Sequence, residues 1–87
     1  MNPRVTAVAP LENNALLVQF TNGEQRRMDV QPYLAFPVFE RLRQPEFFAL
    51  AQAEHGTVGW PGGIDLDPDS VYLESVPTAQ TASARVS

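Results

Sequence analysis

"ALLVQFTNGEQRRMDV", residues 15–30, decides the fold. Two apolar, partly β-branched runs flank Asn22-Gly23, which is the pattern of two strands joined by a tight reversal. Each register has a different effect on the face that would be buried. A two-residue loop pairs Phe20 with Gln25, Val18 with Arg27 and Leu16 with Asp29, setting large apolar side chains beside charges. A three-residue loop of Thr21, Asn22 and Gly23 pairs Phe20 with Glu24, Val18 with Arg26 and Leu16 with Met28. Leu16, Val18, Phe20, Met28 and Val30 then share one face. Register follows the buried face, and glycine in the third loop position suits a type I turn with a G1 bulge. The three-residue loop is expected, with Arg26 on the apolar face near its edge.

Working outward, "RVTAVAP" (4–10) reads as a strand that Pro10 either ends or confines to a sheet edge. "LENN" (11–14) is turn material. Residues 31–52 are interrupted by Pro32, Pro37 and Pro45, each suited to the first turn of a helix. Short helices are predicted at about 37–43 and 45–50, with Phe36, Phe39 and Leu42, then Phe47 and Leu50, spaced to cover a sheet. "AEHGTVGW" (53–60) reads as a hairpin turning at His55-Gly56, and "IDL" (64–66) as an extended segment. Asp67 is placed to cap a helix that Pro68 opens. The tail, residues 77–87, is small and polar and is expected to be disordered. The sum is one α+β domain over residues 1–76: a small, mostly antiparallel sheet with two or three short helices packed on one side.

Composition narrows the function classes. A chain of 87 residues with 44 % hydrophobic content is one globular domain with a thin core. Such domains often add a staple or a second chain, so a homodimer or a protein partner is expected. There is no cysteine, which removes disulfides and thiolate metal sites and agrees with a reducing, cytoplasmic setting. The first ten residues lack an apolar signal-peptide core, and no apolar run approaches the ~18 residues of a membrane span. All six basic residues are arginine. Residues 61–76 hold Asp65, Asp67, Asp69 and Glu74 and no arginine, while the rest of the chain balances six acids against six arginines. The net charge of −4 therefore lies in that one segment. An acidic chain with scattered arginines lacks the basic face that nucleic acid requires.

No motif for catalysis or cofactor binding is complete. Asp65, Asp67 and Asp69 match the first three ligand positions of a calcium loop, but Ser70 stands where glycine is needed and Val76 where the bidentate glutamate is needed. Gly59, Gly62 and Gly63 lack the lysine of a phosphate loop. His55, the single histidine, fits a surface turn, and no serine sits in a nucleophile elbow. Arg26 and Arg27 face opposite ways in a strand and make no joint patch. No metal, cofactor or enzyme activity is expected. Partner binding remains: Trp60, Tyr33 and Phe36 are interface-anchoring residue types, although all three also suit the core and Trp60 suits it better than a surface.

Several pieces, in order over residues 4–74, resemble the family known as domain of unknown function 2442. They are Val5 and Val8, the Phe-x-Asn-Gly-Glu of Phe20 to Glu24, and the Asp-Val-x-Pro-Tyr-Leu of Asp29 to Leu34. Phe39 with Leu42 follows, then Pro45 with Phe47 and Phe48. The last is the run from Gly56 through Trp60-Pro61, Asp65-Leu66 and Pro68-Asp69 to Tyr72. Gly63 departs from the pattern, which has one glycine after a polar residue there. The resemblance implies a small bacterial α+β domain without an established activity. Some relatives are encoded beside another small domain in a toxin–antitoxin-like pair. Some carry a helix-turn-helix extension, for which this chain has no room after Tyr72, so any DNA role would pass through a partner. A molybdopterin-guanine-dinucleotide biosynthesis label borne by some relatives finds no supporting residue.

The expected function is a protein-interaction module, antitoxin-like within a two-gene system. Trp60, Gly62, Asp65, Asp67, Asp69 and Glu74 form its candidate surface toward a basic partner. The rival is a small-ligand or regulatory domain with a pocket bounded by Trp60, Gly62 and Asp65.

Overall fold

The computed structural model describes residues 2–78. Strands β2 (Ala15–Phe20) and β3 (Gln25–Asp29) pair Leu16 with Met28 and Val18 with Arg26, the register that the three-residue loop requires. The Phe20 N–H donates to the Glu24 carbonyl at 3.0 Å and the Gly23 N–H to the Phe20 carbonyl at 3.0 Å. Asn22 Oδ1 accepts from the Glu24 N–H at 3.0 Å, closing the turn from its side chain. Gly23 has φ +88 with open space around it, so backbone conformation and not crowding selects glycine there. Leu16, Val18, Phe20, Met28 and Val30 are all buried.

Strand β1 (Val5–Leu11) pairs only with β2 in this sheet and so forms its edge, where Pro10 is tolerated. The order of the four strands is β1-β2-β3-β7, with β7 the short strand Val76–Pro77. A tight 3₁₀ turn at Glu12–Asn14 links β1 to β2. Asn13 and Asn14 take positive φ there, a conformation that asparagine accepts more readily than most residues. Strands β4 (Gln52–Glu54), β5 (Thr57–Trp60) and β6 (Ile64–Asp65) form a second antiparallel sheet. The expected single sheet is thus two. The 31–48 segment carries the chain away from β3, and the returning hairpin is tied to β1 by the Val5 N–H donating to the Gly56 carbonyl at 3.0 Å. His55 and Gly56, both at positive φ, make its two-residue turn.

Between β3 and β4 in the chain come 3₁₀ helices at Gln31–Ala35 and Pro37–Arg43 and the short helix α1 (Pro45–Phe48). The prolines sit in their first turns as expected, and the helix at 31–35 is an addition to the sequence reading. Helix α1 stops at Phe48, not at residue 50, because the Leu50 N–H turns back to the Phe47 carbonyl. Leu50 is therefore exposed instead of covering a sheet. Helix α2 (Pro68–Glu74) opens as expected, with Asp67 Oδ2 accepting from the Ser70 N–H at 3.0 Å. Val71 of α2 enters the same core as Val18, Leu42, Phe48, Val58 and Trp60, so the architecture is α+β around one core. The fold continues past the expected boundary: Val76–Pro77 forms β7 against β3, and Thr78 is buried. The rest of the expected tail, residues 79–87, lies outside the described residues.

Candidate functional site

The six residues singled out from sequence do not form one surface. Trp60 is 1 % exposed, and its indole N–H donates to the Phe48 carbonyl at 3.0 Å. It is a core residue because β5 is the central strand of its sheet, with all four of its residues buried. Gly62, at φ +91, makes the exposed reversal after β5, where an added Cβ would stand 3.3 Å from Arg41 Nη1. Asp65 is exposed on β6. Asp69 accepts from Asn2 Nδ2 at 3.2 Å. Asp67 is occupied as the helix cap, receiving both the N–H and the hydroxyl of Ser70. Among the described residues no three acids or histidines converge as metal ligands. With Trp60 inside the core, the proposed ligand pocket bounded by Trp60, Gly62 and Asp65 loses its wall.

Glu74 behaves differently. Its Oε1 accepts from the Tyr33 hydroxyl at 2.5 Å, joining the 31–35 helix to the end of α2. Burial first, then the hydrogen bond and charge of Glu74, push the Tyr33 hydroxyl from 10.0 up to about 12; the charge of Asp67 adds and Ser70 opposes. Asp67, Ser70 and Glu74 thus share the side of α2 that meets Tyr33. Pro32, Tyr33, Phe36 and Glu74 line an open hollow of about 260 Å³. Phe36 is 55 % exposed and Leu73 67 %. The three-residue spacing with Phe39 and Leu42 pointed Phe36 at the core. Phe36 instead caps the 3₁₀ helix in an extended conformation, φ −90 and ψ 135, which releases it from that face.

A second cluster joins the hairpin loop to α2. Arg26 Nη1 pairs with Glu24 Oε1 at 2.9 Å, and its guanidinium carbon lies 4.4 Å from the centre of the Tyr72 ring. Nε donates to Ser75 Oγ at 2.9 Å and Nη2 to the Ser75 carbonyl at 2.6 Å. Tyr72 donates to the other Glu24 oxygen at 3.0 Å. The hydrogen bond from Arg26 is the main reason the Glu24 carboxyl is held below its ordinary value. A larger hollow, about 660 Å³, lies beside Pro10, Asn14 and Arg43. Two of its polar side chains are engaged: Asn14 Nδ2 donates to the Leu42 carbonyl and Arg43 to the Leu34 carbonyl.

The family described as Protein of unknown function (DUF2442) matches residues 5–77. The chain belongs to this family. No curated protein and no solved structure matches it. In this DUF2442 chain the motifs that carried the resemblance hold the fold together. Glu24 of the turn motif meets Tyr72 of the last motif, Trp60 meets Phe48, and Asp29 Oδ1 accepts from the Gln31 N–H at 3.1 Å. No helix among the described residues is long and apolar enough to cross a membrane.

Proposed function

We propose that this chain is a non-catalytic protein-interaction module. It receives a basic protein partner on the surface made by β6, α2 and the turn at residues 31–36. The observation behind this is the open hollow that Pro32, Tyr33, Phe36 and Glu74 line, where the exposed Phe36 ring and the exposed Glu74 carboxylate stand together; Asp65 on β6 and Asp69 and Leu73 on α2 are exposed as well. Apolar anchors supply affinity at such a surface, and its concentrated negative charge supplies encounter rate and partner choice. An antitoxin-like role toward a neighbouring, basic gene product in the cytoplasm is the setting that fits this chemistry.

Co-expression with the product of the adjacent gene tests it. The two proteins should co-elute at low salt and separate progressively as salt rises, because exposed charges are screened beyond a Debye length. The triple variant Asp65→Lys, Asp69→Lys, Glu74→Lys should abolish co-elution while leaving the fold intact. Separate elution of the wild-type proteins at low salt would sink the proposal.

A further inference from the structure

We infer that the hollow between Tyr33, Phe36 and Glu74 is a receptor for a single arginine side chain of the partner. The inference rests on the interaction reading above and names the group that the surface takes. Its basis is an internal precedent. At the hairpin loop a tyrosine hydroxyl donates to a glutamate, and an arginine fills the angle between ring and carboxylate: Tyr72, Glu24 and Arg26. At the hollow the same two groups recur, Tyr33 donating to Glu74, with the exposed Phe36 ring as a further wall. No arginine among the described residues fills this one. The Glu24–Arg26 pair is the single ion pair among the described residues, and Glu74 Oε2 takes no hydrogen bond from them.

The geometry favours a guanidinium over an ammonium. A flat cation lies against an aromatic face while its N–H groups reach a carboxylate in the same plane, which a tetrahedral ammonium does not reproduce. Charge complementarity acts in the same direction, since Glu74 belongs to the segment that carries the whole net charge of −4. Pro32 and Phe36 offer apolar surface to the arginine's methylene stem.

The test titrates isotope-labelled protein with the peptide acetyl-Gly-Arg-Gly-amide and with its lysine and citrulline counterparts, followed by NMR. The arginine peptide should shift the amides of Tyr33, Phe36 and Glu74 and bind about fivefold more tightly than the neutral citrulline peptide, the scale of an exposed cation–π contact. Phe36→Ala and Glu74→Gln should each weaken it while both variants remain fully folded under the titration conditions. Equal binding of the arginine and citrulline peptides overturns the inference, as do shifts centred on Asp65 and Asp69. A lysine peptide that binds as well as the arginine peptide overturns the guanidinium assignment. The two proposals fail separately. If the partner co-elutes with Phe36→Ala and Glu74→Gln as with wild type, the module stands and the hollow falls. If the arginine peptide binds at the hollow but no protein co-elutes, the hollow stands and the module falls.

Discussion

Glu24 and Glu74 each accept a hydroxyl from a tyrosine far away in sequence, 48 residues in one case and 41 in the other. Their surroundings differ in one component. Around Glu24 an arginine closes the group, and the result is a part-buried clip between the hairpin and α2. Around Glu74 there is no cation among the described residues, and the result is an open hollow with one carboxylate oxygen unused. The electrostatics diverge accordingly: Arg26 draws the Glu24 carboxyl down, whereas the neighbouring acids and burial hold the Tyr33 proton on. A closed cluster stabilises a fold. An open one has unused capacity to bind.

The contrast can be broken at four points. Arg26→Ala should have the largest effect, a loss of about 2–3 kcal/mol in urea unfolding, because it removes charge-assisted hydrogen bonds and a ring contact at a part-buried site. A loss below ~1 kcal/mol, no more than an exposed pair gives, would show that the cluster is decorative. The second effect follows pH. The stability Glu24 contributes is present above its ordinary value of 4.5 and is lost as pH falls through the lowered folded value. Glu24→Gln should therefore flatten the acid limb of a stability–pH curve, and an unchanged limb would assign it to other carboxylates.

Tyr33→Phe should cost about 0.5–1 kcal/mol, the net worth of one hydrogen bond. It should also remove a feature at the alkaline end. Tyr33 keeps its proton in the folded chain to about 12, against 10.0 ordinarily, so its contribution is complete below 10 and disappears between 10 and about 12. Absorbance titration of the two tyrosines reads this directly. Smallest of all, Phe36→Ala should change stability by less than ~0.5 kcal/mol, the usual range for an exposed site. A larger loss would mean that Phe36 supports the core and not the hollow.

The hairpin was legible because its signal is local: each residue's side follows from its neighbour's, and only one register keeps five apolar side chains together. The cap at Asp67 and the turn at His55-Gly56 were readable for the same reason. The two tyrosine–glutamate pairs were not, since no periodicity links residues more than forty positions apart. Trp60 suited the core and lies there; it was misplaced only in the candidate surface, because prolines, glycines and aspartates follow it in sequence. Its burial is decided by the strands on either side of β5, which the residues beside it do not announce. Phe36 misled in the opposite sense, through a spacing that one extended residue interrupts.

The buried position of Trp60 also sets what optical spectroscopy can see. It is the single tryptophan, packed near Phe48 and hydrogen-bonded to a backbone carbonyl. Its fluorescence should emit at short wavelength and shift to the red only when the core opens. The intrinsic probe of this protein is therefore a gauge of unfolding, and it is silent to a ligand that settles on the surface beside Glu74.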